Sequence, residues 1–403
     1  MHCLTYQVTT KKQSINQAYK VKKKLIRITT VSRSLNKLLG SQIDFIKDYY
    51  DIILVSQNDE NGLVELGKSK QLPIFSVNLT RKITPIQDLK ALMTLVKFLK
   101  KEKPETVHTH TPKAGLIGMM AAKLAGVKNR LHTVAGMPLL EATGIKYKLL
   151  VILERLTYAC ANKVYFNSKG LMDIVISKGI SKATHKFKVI GNGSTNGVDT
   201  QFFSKNNFTD QQLLQLRLDN NIQPTDTVFL SVGRIVKDKG INELVTAFKT
   251  LSKQYKDAKL VLLGRFEDDL NPITKQSKAE IENNPNILFL GYQNDVRPYF
   301  AFSDIFVFPS YREGFPNVVM QAGAMGLPSI VSNINGSNEI IQNNVNGTII
   351  NVKDEQAIFH AMKTWYENPE LVNKMKGMSR QIIVEKYDQQ FVAQQVLNEY
   401  NNL

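Results

Sequence analysis

The sequence predicts an α/β protein built from two Rossmann-like, doubly wound domains that face each other across a cleft. Three observations lead to this prediction. Short runs of β-branched and aromatic residues alternate with helical patterns, which is typical of parallel sheets. The same scheme occurs twice along 403 residues, a length that suits two or three domains. Between the halves, residues 191–199 hold three glycines and two asparagines, a composition that suits a hinge.

The first predicted domain covers residues 25–195. Its expected strands lie at residues 25–31, 52–56, 74–77, 106–110, 130–134, 164–167 and 188–190. Helical patterns separate them, for example at residues 86–101, 113–125 and 141–161. Residues 1–24 are polar and basic and lack the apolar stretch of a signal peptide, so we expect a loose basic leader there.

The second predicted domain covers residues 196–385. Its expected strands lie at residues 228–232, 260–263, 287–290, 305–308, 329–332 and 348–350, with helical patterns at 240–254, 318–325 and 355–367. A last helical pattern, at 389–399, falls in a segment (386–403) that can pack back on the first domain. Ligands of doubly wound sheets bind at the carboxyl ends of the strands, so the cleft is expected at those edges.

Composition and motifs exclude several classes of protein. Cys3 and Cys160 are too few for a disulfide framework or a zinc cluster, and they fit a cytoplasmic protein. No apolar run approaches the roughly 20 residues of a membrane span. No phosphate-binding P-loop occurs and no Gly-x-Gly-x-x-Gly follows a predicted strand, which disfavours a dinucleotide oxidoreductase.

The charge is divided unevenly along the chain. Residues 1–200 hold 32 Lys and Arg against 13 Asp and Glu, whereas residues 201–403 hold 20 against 22. Such asymmetry suggests a polyanionic partner, either nucleic acid or an anionic membrane. Aromatic residues are not interleaved with the basic ones and no helix-turn-helix or RNA-binding motif occurs, so we expect a membrane surface and no nucleic acid. Basic clusters lie at residues 20–24, 81–82, 97–103 and 146–148, the last just before an apolar run at 149–153.

The first chemical motif begins where the strand at 228–232 ends. Gly233 follows as a tight turn, then come Arg234 and Lys239, and a helix starts near Gly240. Two cations beside free backbone N–H groups and a helix N-terminus suit a diphosphate. A solvated surface loop is the alternative interpretation of this motif taken alone.

The second motif follows the strand at 305–308 and reads Glu313, Gly314, Phe315, Pro316, Asn317 and Val318, with Gln321 one turn further along. Gly314 and Pro316 shape a loop, and Pro316 suits the first turn of a helix. Free backbone N–H groups are expected to point into the cleft, and the Glu313 carboxylate can accept hydrogen bonds from sugar hydroxyls.

Together the two motifs resemble those of the retaining GT-B glycosyltransferases that carry a Glu-x7-Glu motif. The resemblance runs from Leu25 onward and includes the stretch from Val107 to Gly115, whose Thr-Pro-Lys-Ala-Gly variant is similar to bacterial capsule, exopolysaccharide and lipid-linked oligosaccharide transferases. It implies a hexosyltransferase-type enzyme of capsule, exopolysaccharide or O-antigen synthesis. The implied donor is a nucleotide sugar, most often UDP-linked, and the implied acceptor is a glycan on a polyprenyl diphosphate.

The resemblance also implies roles for individual residues. Arg234, Lys239 and Gly233 bind the donor diphosphate, Glu313 contacts the donor sugar, and the loop from Gly314 to Val318 holds sugar and phosphate. The second Glu of the motif, which binds ribose hydroxyls, is here Gln321, a neutral amide that cannot make two charge-assisted bonds.

Two further site residues are predicted in the first domain. His108 and His110 alternate along a strand and face one side. His108 is interpreted as a structural residue, as is His132. For His110 the resemblance implies a catalytic position near donor sugar and acceptor. Gly40 is predicted to approach the diphosphate, although relatives have a Gly-Gly pair where this chain has Gly40-Ser41.

No metal or cofactor is expected, since no Asp-x-Asp motif occurs and cations can stabilise the leaving diphosphate. A peripheral enzyme on the inner face of the cell membrane is the consistent location. Two alternatives remain: a sugar-nucleotide epimerase of the same fold, whose carboxylates and histidines cannot be placed here, and a basic nucleic-acid-binding protein.

Overall fold

The computed structural model describes residues 22–80, 84–269 and 271–403. Residues 1–21 of the predicted leader and the basic cluster at 81–82 lie outside the described residues. Within the described residues the chain forms two parallel sheets of seven and six strands, each flanked by helices. The predicted fold class is therefore confirmed.

The first sheet has the strand order β3-β2-β1-β4-β5-β6-β7, and every neighbouring pair is parallel. Its strands are β1 Lys23–Val31, β2 Tyr50–Gln57, β3 Ile74–Ser76, β4 Thr106–His110, β5 Asn129–Val134, β6 Lys163–Phe166 and β7 Phe187–Val189. The helices are α1 Ser32–Ile46, α2 Gly62–Lys70, α3 Pro85–Glu102, α4 Pro112–Leu124, α5 Gly144–Cys160 and α6 Lys169–Ser177.

The second sheet has the order β10-β9-β8-β11-β12-β13, again with parallel neighbours. Its strands are β8 Thr227–Val232, β9 Ala258–Leu263, β10 Ile287–Gly291, β11 Ile305–Phe308, β12 Ser329–Ser332 and β13 Gly347–Ile350. The helices are α7 Asp210–Asp219, α8 Ile241–Gln254, α9 Lys275–Asn283, α10 Arg297–Phe302, α11 Asn317–Ala324, α12 Ser337–Ile340, α13 Glu355–Glu367, α14 Pro369–Tyr387 and α15 Gln389–Asn401.

Burial explains why the strands could be recognised in the sequence. The central strand β8 is buried along five of its six residues, because helices cover both faces of the sheet. Such strands consist almost entirely of apolar residues. Each predicted strand occurs within three residues of its expected bounds, and the predicted helices occur as well.

Two neighbouring segments connect the sheets. The backbone of Val198, in the predicted hinge, donates to Tyr387 (2.9 Å) and accepts from Gln389 (2.9 Å), which lies where α14 gives way to α15. Helix α15 then packs against α1 beside the first sheet. No helix in the described ranges is both long enough and apolar enough to cross a bilayer.

A buried polar network fixes α15 on the first sheet. Arg27 of β1 is 1% exposed, and its guanidinium donates to the Tyr400 hydroxyl of α15 and to the side chain of Gln42 on α1. The ring of His108 contacts the same hydroxyl at 2.6 Å, and Gln42 donates to the Thr195 carbonyl oxygen in the hinge at 2.7 Å. The network therefore joins the first sheet, the last helix and the hinge.

Candidate active site

The carboxyl ends of β8 and β9 approach each other through glycine. Gly233 donates to the Leu263 carbonyl oxygen at 2.9 Å, and an added Cβ at Gly264 would overlap the Gly233 carbonyl oxygen. Gly240, with φ +70°, caps α8 while touching the backbone of Pro309 at the end of β11. This close approach brings the β8–α8 loop and the loop after β11 together at one edge of the sheet.

Lys239 and Glu313 form an ion pair at this edge, although 74 positions separate them in the chain. Both side chains are largely buried, 16% and 20% exposed. Glu313 also accepts from the Ser310 hydroxyl at 3.2 Å, and the Lys239 ammonium lies 5.7 Å from the centre of the Phe308 ring. The two motifs predicted from the sequence therefore meet in one place.

Arg234 lies on the same β8–α8 loop but points to another carboxylate. Its guanidinium donates to Glu267 at 2.8 Å, and 46% of its side chain is exposed. The Glu267 carboxylate raises the pKa of Arg234 above its ordinary value, so the side chain carries a full charge. Each predicted diphosphate cation is thus paired with a carboxylate.

The loop after Glu313 offers unpaired donors. The backbone N–H groups of Gly314, Phe315, Asn317 and Val318 donate to no acceptor in the described part of the chain. The Asn335 amide, at the carboxyl end of β12, donates to the carbonyl oxygens of Glu313 and Gly314 and holds the loop in this form. An anion or an oxygen-rich group at the start of α11 would satisfy these donors.

The side chains of this segment face different surroundings. Phe315 is 9% exposed and packs its ring 5.4 Å from that of Tyr387, so its side chain serves the core. Asn317 is exposed, whereas Gln321 is half-buried on α11 and its side-chain amide makes no hydrogen bond to the described residues. A free amide at that position remains available to a ligand.

His110 ends β4, as predicted, but is closed off from solvent. It is 1% exposed, and neither ring nitrogen has a hydrogen-bond partner among the described residues. Burial, together with the nearby His108 and Arg27, lowers the pKa of His110 well below its ordinary value, so the ring is neutral. Hinge residues Ser194 and Thr195 line the narrow cavity beside it. Its catalytic role stays a prediction.

Gly40 lies in the third turn of α1 rather than in a loop. An amide in a helix interior already donates to the preceding turn, so it is not free to bind a phosphate. The predicted contact of Gly40 with the diphosphate stays a prediction, and the backbone N–H group of Gly40 is not the group that would make it.

Glu339 joins the two sheets directly. Its carboxylate, on α12, accepts from the backbone N–H groups of Lys169 (2.8 Å) and Gly170 (3.0 Å) in the first turn of α6. It also accepts from Gly336 at 3.3 Å. A carboxylate at a helix N-terminus is favourable, so this contact holds the two sides of the cleft together.

Asn335 and Glu339 were not foreseen. Both follow strand β12, and the position of polar residues at the carboxyl end of a parallel strand was the available signal.

Family comparisons match both halves of the chain. The family described as "Glycosyl transferases group 1" matches residues 215–381, and the family described as "Glycosyl transferase 4-like" matches residues 27–168. The first match spans Arg234, Lys239 and the whole segment from Glu313 to Gln321.

Two relatives align along most of the chain. It is 31% identical to the capsular polysaccharide biosynthesis glycosyltransferase CapM of Staphylococcus aureus, over 94% of this chain and 97% of CapM. It is 32% identical to the UDP-Gal:α-D-GlcNAc-diphosphoundecaprenol α-1,3-galactosyltransferase of Escherichia coli, over 78% of this chain and 80% of that enzyme.

Among solved structures, Anabaena Alr3699/HepE in complex with UDP and glucose has the same fold. It superposes with a TM-score of 0.76 at 18% identity, over 94% of this chain and 100% of that protein. The two-sheet arrangement described above is thus the GT-B fold.

Proposed function

The chain belongs to the group 1 glycosyl transferases, and we propose that it moves a sugar from a nucleoside-diphosphate sugar to a lipid-linked glycan, with retention of anomeric configuration and without a metal ion. The observation that carries this proposal is the ion pair of Lys239 with Glu313 beside the unpaired N–H groups of Gly314, Phe315, Asn317 and Val318. Cation, carboxylate and free N–H groups there match the phosphate and hydroxyl groups of such a donor.

The donor half of the proposal assigns one task to each group. Arg234, Lys239 and the amides at the start of α11 stabilise the charge that develops on the departing nucleoside diphosphate. Glu313 accepts hydrogen bonds from hydroxyls of the transferred sugar. Gln321 faces the ribose with the NH2 donor group and the carbonyl acceptor of its amide. Uridine diphosphate is the proposed nucleotide, which accords with the UDP bound to the Anabaena protein.

The mechanism follows from preorganised charge rather than from covalent catalysis. The bond between the anomeric carbon and the diphosphate oxygen breaks while the acceptor hydroxyl oxygen attacks from the same face, which retains the configuration. The hydroxyl proton passes to the departing diphosphate oxygen. Because Glu339 and the hinge hold the two sheets together, the closed cleft excludes the water that would otherwise hydrolyse the donor.

The acceptor half of the proposal draws on the relatives. The Escherichia coli enzyme is named for an acceptor sugar on diphosphoundecaprenol, and the Staphylococcus aureus enzyme for capsular polysaccharide biosynthesis. We therefore propose that this chain acts in polysaccharide synthesis, and we propose separately that it is a peripheral enzyme at the inner face of the cell membrane.

The direct test supplies the purified protein with radiolabelled nucleotide sugars and short glycans on polyprenyl diphosphate. Extended lipid-linked product, formed in the presence of a metal chelator, is the expected result. Anomeric configuration is then read by NMR of the product. If no donor in a broad panel labels the lipid acceptor, or if a free nucleotide sugar is epimerised instead, the proposed reaction is wrong.

Membrane attachment gives a separate prediction. Apolar side chains are exposed on α5, where Ile145 (87% exposed) and Ile152 (58%) belong to the same helix as Lys146 and Lys148, and at the start of α3, where Ile86 is 75% exposed. Each basic residue near an anionic surface contributes about 1 kcal/mol, so a few suffice for reversible attachment.

The protein is therefore expected to pellet with anionic vesicles at low salt, to be released at high salt, and to bind neutral vesicles much less. Replacing Ile145 and Ile152 with glutamine should reduce pelleting, whereas Ile176→Gln, an exposed isoleucine of α6, is the matched control. Duplex DNA that displaces the protein from vesicles would point to unspecific charge attraction. Equal binding to neutral vesicles would contradict the electrostatic attachment.

A further inference from the structure

A pocket of about 370 Å³ opens in the first domain at the carboxyl ends of β4 and β5, between α1 and α5. Its walls are mainly apolar, and one carboxyl group lies among them. The residues around it are Leu38, Pro112, His132, Val134, Met137 and Glu154, together with the backbone of the β5–α5 loop.

Glu154 is the unusual group in this pocket. It is 9% exposed, and its Oε2 atom has no hydrogen-bond partner within the described ranges. Burial raises the pKa of Glu154 to about 7, and the neighbouring Tyr158 hydroxyl opposes that rise only in part. A buried polar atom without a partner is rare in native proteins and calls for an explanation, and a perturbed carboxyl in a cleft is a candidate for function.

The pocket adjoins the proposed donor site. Ala135 and Gly136 form part of its wall, and the Ala135 carbonyl oxygen touches Gly314 so closely that a Cβ there would overlap it. Asn167, at the end of β6, completes the contact, since its amide donates to the same carbonyl oxygen at 3.1 Å. A molecule in this pocket would thus lie next to the loop that is proposed to hold the transferred sugar.

The chemistry of the walls selects the ligand. A carboxylate in the wall repels phosphate, so the diphosphate of an acceptor does not fit here. A neutral sugar fits both features, because its C–H face packs on apolar side chains and its hydroxyl or amide N–H donates to a carboxylate. We propose that this pocket binds the neutral terminal sugar of the acceptor and that the Glu154 carboxylate accepts a hydrogen bond from it.

This inference rests on the proposed transferase reaction, and the experiment separates the two. Glu154→Gln keeps the shape of the side chain but removes its charge. Its KM for the acceptor is expected to rise about ten- to a hundred-fold, as for loss of a charge-assisted hydrogen bond. The KM for the donor and the slow hydrolysis of donor without acceptor should stay at the wild-type values. Glu105→Gln, which removes a carboxylate at the opposite edge of the sheet, is the matched control.

A pH profile adds a second measurement. The titratable groups facing Glu154 are Tyr158 and His132; burial raises the pKa of Tyr158 and lowers that of His132 to about 4, so neither changes charge between pH 6 and 8. Acceptor affinity of the wild type should therefore rise over that interval as Glu154 ionises, and that of Glu154→Gln should stay flat.

Folding of the variant is checked independently. Because the pKa of Glu154 is raised in the folded state, ionisation of this group destabilises the folded protein as the pH rises above the ordinary carboxyl pKa of 4.5. Glu154→Gln should therefore melt at a higher temperature than the wild type at pH 8 and at a similar temperature at pH 4. A folded variant with unchanged acceptor KM would overturn the inference. Absence of transfer by the wild type would instead overturn the proposed function.

Discussion

Replacing Lys239 with alanine is expected to lower kcat/KM for sugar transfer by about one to two orders of magnitude. The Lys239 side chain is only 16% exposed, and its ammonium group pairs with Glu313. A hydrogen bond from a charged donor contributes roughly 1.5–3 kcal/mol, and about 1.4 kcal/mol corresponds to tenfold in rate. Arg234→Ala should have a smaller effect within the same range, because 46% of that side chain is exposed and water screens it.

Steady-state kinetics with the radiolabelled donor measure both variants, and calorimetric titration with nucleoside diphosphate shows whether the loss lies in ground-state binding. Lys237→Ala is the matched control, since Lys237 belongs to the same loop and is exposed to solvent. Wild-type turnover in both Lys239→Ala and Arg234→Ala would remove the diphosphate assignment from this loop.

The strands and most helices could be predicted because their signal is local. A strand buried on both faces, such as β8, is a short apolar run that any window reveals. Helix α1 had such a signal too, since its buried residues Leu35, Leu39, Ile43 and Ile46 follow helical spacing. Gly40 and several polar residues interrupt this pattern, and α1 is not among the helices predicted from the sequence.

The candidate site could be predicted only as a list of residues. Motif spacing indicated Lys239 and Glu313, but their ion pair depends on the neighbouring positions of β8 and β11, which no local pattern encodes. The burial of His110 likewise results from hinge and α15 residues that come together from distant parts of the chain. The contact of Arg27 with Tyr400 spans 373 positions and has no local signature.

The buried carboxyl group of Glu154 could not be predicted from the sequence either, for a different reason. One acidic residue within an otherwise apolar and basic helix is typical of an exposed position. Only the packing of α5 against the loop after β5 places its carboxyl group inside a pocket. The missing hydrogen-bond partner of the Glu154 Oε2 atom can be recognised only from the three-dimensional surroundings of the side chain.

Glu313→Gln separates sugar binding from phosphate binding. The amide has the shape of the carboxylate and can still accept from the Ser310 hydroxyl, so the loop held by Asn335 should keep its form. The charge that orients the transferred sugar is lost, and we expect kcat to fall by about two orders of magnitude, as for removal of one preorganised group at the reacting centre. Nucleoside diphosphate should bind at least as tightly as in the wild type, because the Lys239 ammonium no longer pairs with a carboxylate and can interact with the phosphate alone.

Turnover and calorimetric binding must be measured on the same preparation, because their divergence is the result that matters. Glu280→Gln is a suitable control, since this carboxylate of α9 pairs with Lys249 of α8 (2.5 Å) and belongs to neither of the two motifs. A Glu313→Gln protein that loses transfer and nucleotide binding together would mean that Glu313 shapes the loop rather than contacts the sugar. We expect the variant to retain nucleoside diphosphate binding and to lose sugar transfer. The substitution removes an interaction with the transferred sugar that stabilises the transition state, and it leaves the contacts with the diphosphate in place.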